Sequence, residues 1–148
     1  MSKYYFCCSL PLEIGSVVKP GNWGRMMMNY TPATSNPWVL VRELAYEEVR
    51  KEKFPEKPSR LECIYLCSSE RELREFMDQN GRMFDIAYEV ELVDDASRSH
   101  IGCLQNSNIG DHDNFMHFKS MAERYWSGEN IMSPEFITLS PIRIVREL

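Results

Sequence analysis

The hydrophobic pattern is most concentrated between Leu61 and Cys67, where polar residues hardly interrupt the apolar ones. Such a run predicts a buried strand. A helix follows with almost no loop, because Ser69 and Glu72 have the spacing of a capping box. In that motif the hydroxyl accepts an amide proton of the first turn and the carboxylate reaches back to the N–H of the cap. The junction holds Tyr65 in a defined place, either as a packed core residue or as a ring on which a cofactor can stack.

The remaining segments predict several short strands and about three helices. Apolar residues alternate with polar ones or form short runs in the predicted strands, which cover 3–9, 85–94, 136–139 and 142–147. Helical periodicity covers 38–54, the segment from Ser69 to Gly81, and the segment from Asn114 to Gly128. We interpret 23–37 and 94–111 as loops, because turn-forming and polar residues dominate there.

This order of elements predicts an α+β fold in one domain, residues 1–148. Neither G-x-G-x-x-G after a strand nor G-x-x-x-x-G-K occurs, which argues against the usual mononucleotide-binding folds. A chain of 148 residues with 43% hydrophobic residues is long enough to bury a core as one domain.

Charge and cysteine content narrow the class of protein. The net charge of −5 and the lack of a basic run argue against non-specific binding to polyanions. Five cysteines without a C-x-x-C pair or a secretory leader indicate free thiols and a cytoplasmic location. No apolar run is long enough to span a membrane, so we predict no membrane partner.

Two arrangements of reactive residues are weak candidates for chemistry. A nucleophilic Cys7 would need a base or a helix start near it in sequence, and neither is present. A zinc site would need ligand spacings of a known type, and the spacings here match no common finger or ribbon. We therefore predict no metal site among the four residues that could provide it, His100, Cys103, His112 and His117.

A set of short motifs, taken in order, resembles the small bacterial rifampin ADP-ribosyltransferases. That family opens with an aromatic-His-Gly-Thr strand, and this chain has Phe6-Cys7-Cys8-Ser9 followed by leucines, Gly15-Ser16 and Pro20-Gly21. The family's Ile-Tyr strand before a helix is similar to 63–67. Its third strand and acidic pair are similar to 87–91 and Asp94-Asp95, and its last strand to 140–145.

The motifs Trp23-Gly24-Arg25 and Phe54-Pro-x-x-Pro-Ser-Arg60 also resemble a bacterial and phage domain family of unknown function, which would have the same fold. The resemblance implies an ADP-ribosyltransferase-like split β-sheet core. It also implies NAD as the cofactor, cleaved at the bond between nicotinamide and ribose.

The resemblance further implies the roles of individual residues. Asp95 or Asp94 would stabilise the positive charge that develops on the ribose, with Glu123 as a substitute, and Tyr65 would stack on the nicotinamide. The cofactor-binding set comprises Cys7, Cys8, Ser9, Tyr65, Arg25 and Trp126. Cys7 stands where the family has histidine, and a thiol is a poorer hydrogen-bond donor than imidazole.

Two functions follow from this resemblance. The first is a mono-ADP-ribosyltransferase, a bacterial or phage toxin or modification enzyme, whose acceptor is a protein, a nucleic acid or a small molecule. An antitoxin or regulatory protein is an expected partner of such a toxin. The second is an inactive binding or interaction protein on the same fold, in which Cys7 marks the loss of catalysis.

Overall fold

A computed structural model describes residues 2–34, 36–103, 109–129 and 132–148. The strands are β1 Tyr4–Cys8, β2 Val17–Val18, β3 Ile64–Leu66, β4 Ile86–Leu92, β5 Ser99–Cys103, β6 Pro134–Thr138 and β7 Ile142–Glu147. The helices are α1 Asn22–Met28, α2 Trp38–Lys53, α3 Glu70–Gln79 and α4 Phe115–Ser127.

The strands form two antiparallel sheets, and the mixed α+β class predicted from the sequence is confirmed. One sheet has the order β1-β4-β7-β2, and the other has the order β3-β6-β5. An isolated bridge joins them: Tyr5 N–H donates to Cys67 O at 3.0 Å, and Cys67 N–H donates back to Tyr5 O at 2.9 Å.

The two sheets separate on one side of this bridge. Continuing the antiparallel register from Tyr5 and Cys67 would set Ser9 against Cys63. Instead, the carbonyl of Cys63 accepts a hydrogen bond of 3.2 Å from the N–H of Gly21. The turn before α1 therefore pairs with the edge of β3 in place of β1, and the two sheets separate at this point.

Three clusters of buried residues lie around the two sheets. The cluster between the sheets contains residues such as Leu66, Tyr88 and Ile144. The opposite faces are covered by helices: α3 packs against β1 and β4, and α2 with α4 packs against the three-stranded sheet. The cluster under α2 and α4 contains Trp126, which is 1% exposed.

The predicted capping residues are confirmed at two helices, with one difference in detail. The Ser69 hydroxyl accepts from Glu72 N–H at 3.2 Å, as predicted. The Glu72 carboxylate, however, accepts from the N–H and hydroxyl of Ser68 rather than from Ser69. Asn114 caps α4, and its box is closed by His117, which accepts from Asn114 N–H at 3.0 Å.

Two segments predicted as loops contain regular structure. Residues 22–28 form α1, because Met27 and Gly24 face the interior although the segment lacks an obvious apolar period. Residues 99–103 form β5, where the small residue Gly102 leaves space for the ring of Tyr125. Tertiary packing decides both elements, and this information is absent from local periodicity.

We expect Gly24→Ala to lower the free energy of unfolding. Alanine normally stabilises a helix by about 1 kcal/mol relative to glycine. Here the new Cβ would lie 2.0 Å from the backbone oxygen of Leu61, which cannot move without displacing the chain that enters β3. Urea denaturation should show a net loss of roughly 1–3 kcal/mol.

Met28→Ala on the same helix provides the control, because that side chain is 65% exposed. An unfolding midpoint for Gly24→Ala at or above that of the wild type would show that α1 does not pack on this backbone.

Candidate functional site

Cys7, Tyr65 and Glu135 lie on one face of three neighbouring strands. Cys7 and Cys67 pack against the same cluster under α3, and Tyr65 precedes Cys67 by two residues, so the side chains of Cys7 and Tyr65 point to the same side. Tyr65 pairs with Ile137, and Glu135 precedes Ile137 by two residues. The joined sheets therefore place a thiol, a phenol and a carboxylate on the helix-covered side of β1, β3 and β6, with Cys7 under α3 and Tyr65 in the cluster under α2 and α4.

Arg60 is the buried charge that organises this face. Its guanidinium group is 4% exposed and donates to both oxygens of Glu43, with contacts of 3.0, 3.0 and 3.2 Å. It also donates through Nη1 to Glu135. Glu43 is 1% exposed and accepts a further hydrogen bond of 2.9 Å from Arg42. Each buried carboxylate is thus paired.

Three tyrosine rings surround the guanidinium. The Arg60 Cζ lies 5.5 Å from the ring centre of Tyr46, 5.2 Å from that of Tyr65 and 4.8 Å from that of Tyr125. The Tyr125 hydroxyl donates to Glu135 at 2.7 Å, and the Tyr65 hydroxyl donates to the backbone carbonyl of Arg60 at 2.8 Å. Ion pairs and rings together fix Tyr65 and Glu135 relative to each other.

The pKa values of this cluster follow from burial and charge. Burial alone would raise the pKa of Glu43, but the guanidinium of Arg60 and then that of Arg42 lower it overall. Burial would lower the pKa of Arg60, yet Glu135 and Glu43 hold it well above its ordinary value. Burial raises the pKa of both Tyr65 and Tyr125. Glu43 is therefore ionised at neutral pH, and the two phenols are neutral.

Cys7 is half-buried and is not an activated nucleophile. Burial raises its pKa from 9.0 to about 12, and the neighbouring Asp85 adds to the shift. The side chain packs against Leu73, Met77 and Ala87. At neutral pH it is therefore a neutral thiol.

The structure does not bring Asp94 or Asp95 to this face. The Asp94 carboxylate accepts 3.0 Å hydrogen bonds from Ala96 N–H and the Ser97 hydroxyl, so it stabilises its own turn. Asp95 lines a cleft with Tyr4 and Phe136, which pack in the cluster between the sheets, on the opposite side from Tyr65. Neither aspartate is therefore shown beside Tyr65, and Asp95 lies on the other side of the sheets.

The other predicted cofactor residues are dispersed. Trp126 is a core residue, 1% exposed, whose Nε1–H donates to Tyr46 O at 2.9 Å, so its assignment as a cofactor contact is corrected. Arg25 is exposed on α1 and donates to Asn22 Oδ1 at 2.8 Å. Cys8 faces the cluster between the sheets, and Ser9 is exposed at the end of β1. The substitute carboxylate Glu123 forms an exposed ion pair with Lys53 at 2.6 Å.

The four residues considered for zinc do not meet. His100 is buried and contacts Tyr125 O through Nε2 at 2.9 Å, whereas His112 and His117 are exposed. Among the described residues no group of three or more histidines, cysteines and acids could hold a metal ion. In the same part of the chain, no helix is long and apolar enough to cross a membrane.

Sequence reasoning missed Arg60 and Glu135. Glu135 lies at the start of β6, before Phe136-Ile137, and Arg60 lies in the turn that leads into β3, next to the apolar run that begins at Leu61. A lone charge beside a buried strand indicates a buried partner, because an unpaired charge is costly there. That signal identifies the class of partner but not its position in the chain.

Comparison with known protein families assigns the chain to one of them. A family model described as "Protein of unknown function (DUF2441)" matches residues 18–148. The chain belongs to this family. No curated protein matches the sequence. The region that matches DUF2441 contains Tyr65, Arg60 and Glu135, whereas Cys7 lies before it.

We expect Arg60→Met to destabilise this DUF2441 chain by about 3–5 kcal/mol, because Glu135 would lose its ion pair and the buried Glu43 would keep only its contact with Arg42. Urea denaturation followed by tryptophan fluorescence measures the effect. The matched control is Arg74→Met at an ion pair on α3 where the arginine is 46% exposed, which we expect to cost less than about 1 kcal/mol. Equal losses in the two variants would contradict the role of Arg60.

The lowered pKa of Glu43 predicts a dependence of stability on pH. The pKa of Glu43 is lower in the folded state than in the unfolded state, so the ionised carboxylate stabilises the fold at any pH above the unfolded-state pKa of about 4.5. This stabilisation is lost as the pH falls below that value towards the lower pKa of the folded state. We expect the gap in unfolding free energy between wild type and Glu43→Gln to narrow from pH 7 towards acid pH. A gap that stays constant over the whole range would show that Glu43 has an ordinary pKa.

Proposed function

We propose that this protein is an NAD-dependent mono-ADP-ribosyltransferase in which Tyr65 and Glu135 form the reaction site. The observation that carries the proposal is that Cys7, Tyr65 and Glu135 lie on one face of the neighbouring strands β1, β3 and β6. The first two are residues that the family resemblance implies for cofactor binding. The third provides the carboxylate that Asp94 and Asp95 do not bring to this face.

The chemistry of these side chains suits a nicotinamide riboside. Tyr65 provides a half-buried aromatic ring, and Glu135 provides a carboxylate whose side chain retains 11% exposure. Bound NAD supplies the ADP-ribose unit and a neutral leaving group. Tyr65 provides the stacking surface, and Glu135 offsets positive charge that develops on the ribose.

The ion pair with Arg60 gives Glu135 its fixed position. Arg60 contacts Glu43 through two nitrogens and Glu135 through the third. The positive charges of Arg42 and Arg60 balance the negative charges of Glu43 and Glu135, so the Glu135 carboxylate is held in a cluster without net charge. A carboxylate that is already oriented needs little reorganisation during the reaction.

Release of nicotinamide from NAD tests this proposal without knowledge of the acceptor, because water can replace the acceptor nucleophile. We expect Glu135→Gln to reduce release by roughly 100-fold, since the amide has the same shape but no charge. Tyr65→Ala should reduce it mainly by weakening NAD binding. The exposed Asp78→Asn on α3 is the matched control for a lost carboxylate and should leave the rate unchanged.

Circular dichroism of each variant verifies that the fold is retained. Loss of activity in Asp95→Asn with full activity in Glu135→Gln would show that Asp95, and not Glu135, stabilises the positive charge on the ribose. A wild-type protein that binds NAD at millimolar concentration but releases no nicotinamide would contradict the enzymatic proposal.

A non-catalytic binding protein is the second candidate, and Cys7 favours it. A buried thiol with a pKa of about 12 is a weaker hydrogen-bond donor than the imidazole at this position in the family that the chain resembles. Such a protein would keep the face and its cluster but would not turn over NAD.

We expect Cys7→His to lower the Kd for NAD, because it restores a strong donor on the same side of the sheets as Tyr65. Calorimetry measures the change. Cys8→His is the matched control, since Cys8 is the next residue on the strand but faces the cluster between the sheets. Equal effects of the two variants would show that the side of β1 that faces α3 is not the NAD-binding side.

A further inference from the structure

A cleft lies on the opposite side of the sheets from Tyr65. It has a volume of about 660 Å³ and is lined by Tyr4, Leu92, Asp95, Ser97, Ser99, Phe136 and Ser2. A neighbouring apolar cavity of about 270 Å³ shares Tyr4 and Phe136 and adds Ile101 and Pro134. The rings of Tyr4 and Phe136, which line both spaces, stack at 4.6 Å with an interplanar angle of 15°.

Three polar side chains of the larger cleft, those of Asp95, Ser97 and Ser99, offer acceptors rather than donors, and the hydroxyls of Ser2 and Tyr4 can act as either. The Ser97 hydroxyl donates its proton to Asp94 Oδ2 at 3.0 Å. The Ser99 hydroxyl lies within donating distance of Thr138 Oγ1 at 2.8 Å and of Ser97 O at 3.2 Å. Both protons are engaged within the protein, so these hydroxyls present lone pairs to the cleft. Asp95 adds an exposed carboxylate that has no hydrogen-bond or ion-pair partner within the described part of the chain.

This arrangement of acceptors around one carboxylate favours a positively charged ligand over a negatively charged one. A phosphate or carboxylate would face the charge of Asp95 and the acceptor lone pairs of Ser97 and Ser99, with no donor from those three side chains. An ammonium group has three donors and a positive charge, which match the wall and are also attracted by aromatic faces. Lys3 lines the apolar cavity, but its ammonium lies 3.6 Å from Glu89.

We propose that this cleft binds a small organic amine, with its ammonium group at Asp95 and its apolar part against Tyr4 and Phe136. The two adjoining spaces fit such an amphipathic ligand, because one is lined by acceptors and the other by Ile101 and Pro134. The inference does not depend on the proposed reaction with NAD, since the two sites lie on opposite sides of the sheets.

The test uses 2-phenylethylamine as the probe, with ¹H–¹⁵N NMR shifts followed during titration of the full chain. We expect binding on the order of millimolar, with the largest shifts at Tyr4, Asp95, Ser97, Ser99 and Phe136. Asp95→Asn should weaken binding about fivefold or more, because a charge-assisted hydrogen bond becomes a neutral one. Asp78→Asn is the control for the loss of an exposed carboxylate and should bind as the wild type does.

The neutral analogue 2-phenylethanol separates recognition of the ammonium from simple burial of the ring. We expect it to bind at least about fivefold more weakly than the amine. Equal affinity for the alcohol, an unchanged Kd in Asp95→Asn, or shifts confined to other residues would each overturn the proposal. Asp95 is exposed, so its substitution is not expected to affect folding.

Discussion

The buried ion pairs of Arg60 are the interaction on which the rest of the structure depends. One guanidinium contacts Glu43 on α2 and Glu135 on β6 and lies among three tyrosine rings. Removing a charge of this kind from water is costly unless every partner is in place. The cluster therefore requires α2, the entry to β3 and the start of β6 to form together. It also explains why charged residues occur in the turn before β3 and at the start of β6.

The split between the sheets gives this cluster its functional setting. The pair of hydrogen bonds between Tyr5 and Cys67 keeps β1 beside β3, whereas at Cys63 the edge of β3 is hydrogen-bonded to Gly21 instead. The side chains of Cys7 and Tyr65 consequently share a face next to the helices, and Glu135 joins them from the other edge of β3. The opposite side of the sheets carries the Tyr4–Phe136 stack and Asp95. Residues that are close in sequence, such as Phe136 and Glu135, therefore lie on opposite sides of the sheets.

Local signals in the sequence predicted the elements better than the site. The capping residues Ser69 and Asn114 and the pattern of the Tyr65 strand are encoded within a few residues, and the structure has all three. The helix at 22–28 depends on contact between Gly24 and Leu61, which lie far apart in the chain. The same limitation affected the carboxylate: Asp95 follows a strand in the expected order, but strand order does not determine which side of a sheet its side chain reaches. Glu135 could be recognised only once β6 was seen to pair with β3.

The most direct test of the central claim is an NMR titration of the ¹⁵N-labelled chain with NAD, because it reports where the dinucleotide binds whether or not it reacts. We expect chemical-shift changes at Tyr65 and Glu135, which Arg60 holds in place, and at Cys7 on the same side of the sheets, with little change at Tyr4 and Asp95. Changes confined to Tyr4, Asp95 and Ser99, or no changes at millimolar NAD, would show that NAD does not bind on the side of Tyr65.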